Sequence, residues 1–317
     1  MKPNQENREP AAAAAAIELT PCINPEMHTS FDLDNTNAYL HWRDHKLANA
    51  ITSIDELIVE IKDPCALTAV EHAALLERCQ RSNMAIYTTH TPVDERSVQL
   101  LGGQFGLNRL DANWLAGEDG ISEIQVIDNG TRQHYIPYTD RAIKWHTDGY
   151  YNTPERTIRS MLLHCVRSAA SGGENRLMDH EMAYMMLRDE NPQHVRALSA
   201  MDAMTIPERL DETDGVRPAQ SGPVFSLDPV GNLHMRYTAR IRSILWKQDA
   251  ATLAAVAALE MLLASNLPHI LHTRLEPGMG LLCNNVLHDR AAFSDDTVHP
   301  RLLYRARYHE RIAGTSS

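Results

Sequence analysis

Apolar and polar positions along this chain repeat with two different periods, and the switches between them mark out the elements. In "DPCALTAVEHAALLERCQRSN" the apolar residues recur every three to four positions after an Asp-Pro start, which predicts an amphipathic helix; "MAIYTT" behind it predicts a short strand. "PVDERSVQLLGGQFG" predicts a second helix closing on glycines, and "SEIQVID" another strand. Further on, short strands are expected around residues 143–147, 158–166, 223–228, 234–237, 269–275, 279–284 and 302–309, interrupted by helical patterns at 179–190 and 249–265. There is no internal repeat. Many short strands with long insertions predict a mainly β core with helices packed outside it, an α+β barrel or sandwich, and argue against a doubly wound parallel sheet. Residues 1–30, polar, Ala-rich and without apolar period, are expected to form a mobile arm ahead of a single domain at 31–317.

Composition narrows the partners. A chain of 317 residues with 43% hydrophobic positions can bury a sizeable core. Its net charge of −11 opposes nucleic acid or an anionic membrane as the main partner, because both reward a basic surface, and a small molecule is expected instead. No apolar run approaches the roughly 20 residues of a membrane helix, and the six alanines near the start make too weak an apolar segment for a secretory signal, so a cytoplasmic location is expected. The five cysteines are scattered without a CxxC pair, which predicts reduced thiols rather than a disulfide framework or structural zinc. "LGGQFG" does not have the glycine spacing of a phosphate loop.

The chemistry gathers in two places. "KWHTDGYYN" sets His146 and Asp148 two apart, and in an extended segment residues i and i+2 share a face, so the imidazole and carboxylate would converge as metal ligands. Near the other end, "LEPGMGLLCNNVLHDR" places His288 where a short buried strand is expected to finish. Two histidines and a carboxylate form the facial triad of non-haem iron oxygenases, which leaves positions open for co-substrate and O₂; the same three could hold zinc in a hydrolase. The following "RLLYRARYHE" puts Arg301, Leu303, Arg305 and Arg307 on one strand face, with Leu302, Tyr304, Ala306 and Tyr308 on the other. Guanidinium groups so aligned call for anions or carboxylates, unless the strand is a solvated edge.

The order HTDG, "GGENRLMD", "NNVLHDRAAF" and "RLLYR" resembles the taurine dioxygenase family of Fe(II)/2-oxoglutarate-dependent oxygenases, related to clavaminate synthase. The resemblance runs from about residue 50 to 310 and implies a double-stranded β-helix, or jelly-roll, barrel. It implies His146, Asp148 and His288 as iron ligands and Arg301 as the clamp on the distal carboxylate of 2-oxoglutarate. Asn175 would be that co-substrate's lesser partner, although the family places threonine there; an amide can still donate to a carboxylate. Because the aspartate of HxD is present, hydroxylation is expected rather than halogenation. Fe(II), 2-oxoglutarate and O₂ are the implied cofactors, and a homo-oligomer would be in keeping with the family.

For the substrate, the family's use of the second arginine implies that Arg305 meets an anionic group, which favours a carboxylate or sulfonate metabolite. Trp145 and Tyr150, beside the iron motif, leave open a cationic, betaine-like substrate, since aromatic faces attract alkylammonium groups. The Cys-rich N-terminal zinc module of betaine-hydroxylating relatives has no counterpart in the sequence. His180 and Glu181 are neighbours on a predicted helix and face different directions, so they are not expected to form a ligand pair. Arg290 is expected either at the mouth of the site or in a surface salt bridge.

Overall fold

The computed structural model describes residues 30–111, 120–127, 135–211, 215–296, 298 and 300–316. The arm expected over residues 1–30 lies outside the described residues apart from Ser30.

Along the chain, helices α1 (Thr36–Ala48) and α2 (Ile54–Leu57) lead into strand β1 (Ile58–Glu60), and α3 (Ala69–Ser82) connects it to β2 (Met84–Thr88). Then come α4 (Glu95–Gly103), β3 (Ser122–Ile124), β4 (Ile143–His146), β5 (Ser160–Arg167), β6 (Ser171–Gly172) and β7 (Asn175–Met178). Helices α5 (His180–Glu190) and α6 (Pro192–Leu198) precede seven short strands: β8 (Met204–Ile206), β9 (Arg209–Asp211), β10 (Gly215–Arg217), β11 (Gln220–Gly222), β12 (Phe225–Leu227), β13 (Leu233–Met235) and β14 (Leu245–Trp246). Helix α7 (Ala250–Leu263) returns the chain to β15 (Leu271–Thr273), β16 (Met279–Cys283), β17 (Leu287–Arg290), β18 (Phe293–Ser294) and β19 (Leu302–Tyr308).

Two sheets carry the architecture. The larger has the order β1-β2-β16-β5-β19-β3 and the smaller β15-β7-β17-β4. All their pairings are antiparallel except β1 with β2, where α3 supplies the long crossover that a parallel pair requires. The facing sides share one apolar cluster, with Met161, Leu281 and Leu303 from the large sheet against Leu177 and Leu271 from the small one. The period of two then sends Leu162, Leu282, Ala306 and Tyr308 to the outer side of the large sheet, against residues of α3 and α4. On the outer side of the small sheet, Trp145, Met178 and Leu287 pack with α5, α6 and α7. The result is a mixed α/β arrangement of helices, two sheets, and helices again, as the period switches anticipated. Truncating Leu281, which is 2% exposed between the sheets, to alanine should cost about 2–5 kcal/mol.

Local chemistry moved several boundaries. The first expected helix starts at Ala69, not near Pro64, because Thr68 accepts from the Glu71 N–H at 3.2 Å while the Glu71 carboxylate accepts from the Thr68 N–H at 2.7 Å. That reciprocal capping box outranks the Asp-Pro signal. His288 does not end the strand before it. The chain turns at Asn284–Asn285, with Asn285 at φ 49°, and His288 belongs to a new strand in the opposite sheet. Nor is β19 an edge: it pairs with β5 on one side and β3 on the other.

Candidate active site

Strand β4 ends at His146, and Asp148 occupies the turn that follows, so the two candidate ligands straddle a strand end instead of sharing a strand face. Asn285 fixes that turn: its side-chain oxygen accepts from the Asp148 N–H at 2.8 Å, and its amide donates to the carbonyls of Asp148 at 2.9 Å and Ile158 at 2.7 Å. Gly149 is required by the same turn. Its φ is +70°, and a Cβ there would lie 2.4 Å from Cγ1 of Ile158. The antiparallel register sets His288 of β17 directly opposite His146 of β4.

Each imidazole is tied through its Nδ1–H to the carbonyl two residues earlier, Lys144 at 3.0 Å for His146 and Val286 at 2.9 Å for His288. A carbonyl only accepts, so Nδ1 carries a proton, which leaves Nε2 as the nitrogen of each ring that can ligate a metal. Burial pushes His288 down to about 4, which keeps the lone pair of its Nε2 available. Candidate ligand atoms of His146, Asp148 and His288 lie within 4.8 Å of one another. Asp148 is 6% exposed; burial alone would raise its pKa, yet the nearby Arg305, whose Nη1 stands 3.2 Å from Oδ2, holds the carboxyl well below its ordinary range. Asp148 Oδ2 has no hydrogen-bond partner despite its burial. Two imidazoles anchored through Nδ1 and an anionic, under-satisfied carboxylate oxygen fit a divalent metal with open positions.

The triad opens into a cavity of about 980 Å³. Arg301, Leu303, Arg305 and Arg307 line it together, as the strand period predicted, and Asn175 and Tyr150 join them. Arg301 is 6% exposed, its Nη1 has no hydrogen-bond partner, and burial lowers its pKa. Arg307 donates to Asp111 at 2.6 Å and to the Tyr151 hydroxyl at 2.9 Å. Asn175 spends one amide hydrogen on the Asp289 carbonyl at 2.7 Å. The glycines before it make the turn that packs against β18: a Cβ on Gly172, at φ +75°, would meet the Ala292 carbonyl oxygen at 2.3 Å.

One expectation changes. Trp145 lies on the outer side of the small sheet; its indole donates to the Leu263 carbonyl at 3.0 Å, with the Arg176 guanidinium 4.8 Å from its ring. Adjacent residues on a strand face opposite ways, so a tryptophan next to an inward-facing His146 is turned to the helices. Of the two places expected for Arg290, the structure puts it at the cavity: it lines the wall, is 5% exposed, donates to the carbonyls of Thr139 at 2.7 Å and Arg141 at 2.6 Å, and burial lowers its pKa to about 9. His180 and Glu181 are apart as expected, His180 donating to the Leu233 carbonyl and Glu181 accepting from Lys46. Sequence patterns gave no sign of Asn285 and Asp111, which support the site from outside the cavity lining, or of Arg156, Arg209, Arg217, Arg240 and Arg242, which line it.

Two histidines and a carboxylate at one mouth of a cation-lined cavity between antiparallel sheets define a non-haem iron oxygenase type of site. The chain belongs to the taurine catabolism dioxygenase TauD, TfdA family, whose pattern matches residues 44–307. It is 32% identical over 228 residues to a uridine-5'-phosphate dioxygenase from a Streptomyces species, covering 70% of this chain and 81% of the relative. A second protein of that name, from an Amycolatopsis species, is 32% identical over 171 residues, and the match spans 52% of this chain and 60% of the relative. Among solved structures, asparagine oxygenase with Fe(II), hydroxyasparagine and succinate aligns with a TM-score of 0.56 at 15% identity, covering 76% of this chain and 80% of that one. The non-heme iron oxygenase OrfP with Fe, succinate and dihydroxyarginine aligns at 0.58 and 15% identity, covering 79% and 86%. Among the described residues no helix is long and apolar enough to cross a membrane.

Proposed function

We propose that the protein is an Fe(II)/2-oxoglutarate-dependent dioxygenase that hydroxylates an unactivated C–H bond of a small anionic metabolite, on a double-stranded β-helix whose two walls are the large and small sheets. The observation that carries the anionic substrate is the charge of the cavity. Its lining has ten cationic side chains, nine arginines and Lys144, against three acidic ones, Asp148, Glu208 and Asp289, in a chain of net charge −11. Low-dielectric walls focus such a field and draw in anions. The relatives named above as uridine-5'-phosphate dioxygenases are named for an anionic substrate, which agrees with that charge. A cationic, betaine-like substrate would meet like charge.

In this proposal His146, Asp148 and His288 hold the iron, and the two Nδ1–H bonds fix each imidazole with Nε2 toward it. Bound there with 2-oxoglutarate and O₂, iron supplies the oxidising power for C–H hydroxylation, with 2-oxoglutarate converted to succinate and CO₂. Arg301 pairs with the distal carboxylate of 2-oxoglutarate in a charge-assisted bond strengthened by burial, and Asn175 offers its remaining amide hydrogen nearby. Arg305 has two duties: it steadies Asp148, and its buried Nε, which has no hydrogen-bond partner, is free for the substrate. Replacing His146 or Asp148 by alanine should abolish substrate-dependent succinate formation in a protein with unchanged circular dichroism. Near-normal turnover by either variant would refute the assignment, and tight co-purification of zinc with no response to 2-oxoglutarate would point to a hydrolase.

A further inference from the structure

We propose that Arg176 is a positioning residue of the metal centre: from the outer side of the small sheet it braces the irregular stretch of β4 that aims His146 at His288. The inference rests on the metal-binding part of the proposal above and adds to it a residue outside the cavity lining. Across the β4–β17 pair the register slips, with His288 opposite His146 but Arg290 opposite Ile143. Lys144 and Trp145 of β4 therefore stand against Asp289 alone, a two-against-one bulge of the kind that re-aims a side chain beside an active site. The bulged stretch supplies the Lys144 carbonyl, which holds Nδ1 of His146 at 3.0 Å. A shift of that carbonyl turns the imidazole with it.

Arg176 touches both sides of this bulge. It follows Asn175 on β7, and successive strand residues face opposite ways, so an Asn175 that lines the cavity sends Arg176 to the far side. There its Nε and Nη2 both donate to Oδ2 of Asp289, at 2.8 and 2.5 Å, while its backbone N–H donates to Oδ1 at 2.8 Å. The same guanidinium lies 4.8 Å from the centre of the Trp145 ring. In the sheet β17 runs between β7 and β4, so one side chain ties three strands. Each of those strands carries a site residue next to the contact: Asn175 beside Arg176, His288 beside Asp289, and His146 beside Trp145. Asn175 joins the tie directly, its amide donating to the Asp289 carbonyl at 2.7 Å. Asp289 is 7% exposed, which strengthens its charge-assisted bonds over the same bonds in open water. A planar guanidinium can bond a carboxylate along its edge and meet a ring with its face, whereas an ammonium offers a point charge alone.

The test uses the full-length protein prepared without oxygen, with Fe(II) to measure affinity and Co(II) as a spectroscopic stand-in. Arg176→Met should lower Fe(II) affinity about tenfold, the lower end of what groups supporting a metal ligand contribute, and should shift the visible d–d bands of the Co(II) protein. Co(II) held by His146 and His288 should give two exchangeable, hyperfine-shifted imidazole N–H signals, and one of them should move in the variant while the other stays. Arg176→Lys, which keeps a cation beside Asp289, should recover part of the affinity. A merely structural Arg176 would lower the thermal midpoint of the metal-free protein and leave the affinity and both spectra alone. Unchanged Fe(II) affinity with unchanged Co(II) spectra in Arg176→Met therefore overturns the inference. Were that variant to fail to fold, Asp289→Asn, expected to change the same readouts in the same direction, decides it. Metal binding in wild type without a charge-transfer band on adding 2-oxoglutarate would count against the oxygenase reading alone, and a wild type that binds no divalent metal at the triad overturns both.

Discussion

Two sets of arginines face the same cavity and live by different rules. On β19, Arg305 stands 3.2 Å from Asp148 and Arg307 2.6 Å from Asp111, each in a position where water is scarce. On the β9–β10 hairpin, Arg209 and Arg217 sit opposite each other, Arg209 over the Tyr135 ring and Arg217 over that of Tyr151. The difference follows from desolvation. A guanidinium buried between sheets must bring its own countercharge or give up stability. Arg301 is buried like the first set, yet its Nη1 has no hydrogen-bond partner, as the proposed clamp on 2-oxoglutarate would need.

The sharpest way to break this comparison is Arg307→Ala. It leaves Asp111, 2% exposed, with the half-exposed Arg156 at 2.6 Å and the His309 imidazole at 3.8 Å, and a buried charge stripped of its closest buried partner should cost up to about 3–5 kcal/mol in denaturant titration. A loss below 1 kcal/mol would mean that depth does not set the role. Next is Arg301→Ala, which should leave the fold in place but weaken 2-oxoglutarate binding by roughly 30-fold or more, the scale for removing one partner of a buried charge pair; the charge-transfer band at limiting 2-oxoglutarate reads this directly. Arg305→Ala removes the cation beside Asp148, and an anaerobic Fe(II) titration should show affinity reduced about 10–100-fold, as for other groups that support a metal ligand. The smallest effect belongs to Trp145→Phe, which loses one hydrogen bond to Leu263, about 1 kcal/mol, and should leave KM for substrate unchanged because the indole faces the helices.

Much of the architecture was legible in one dimension. Strands expected at 143–147, 279–284 and 302–309 appear as Ile143–His146, Met279–Cys283 and Leu302–Tyr308, and the helical patterns at 179–190 and 249–265 appear as His180–Glu190 and Ala250–Leu263. These segments have one face against a core, which forces their apolar period. Helix α1 has no such clear signal, since only Tyr39 and Lys46 of its residues are buried, and it was not anticipated. The short strands between Met204 and Trp246 were only partly anticipated, because three-residue ladders are too brief to show a period.

By itself the sequence determined what backbone periodicity and residue chemistry can specify: a mainly β core, inward-facing Arg301, Arg305 and Arg307, and two histidines and an aspartate suited to a metal. Those follow from local geometry, because the period of two assigns a side of the strand wherever the strand lies. Tertiary structure alone decided which sides meet. It brought His288 opposite His146 across 142 residues of chain, gave Asp148 to Asn285 and Arg305, turned Trp145 away from the cavity, and set the hairpin's two arginines over it. Contacts between residues so distant depend on how sheets pair and pack, and no local period encodes that pairing.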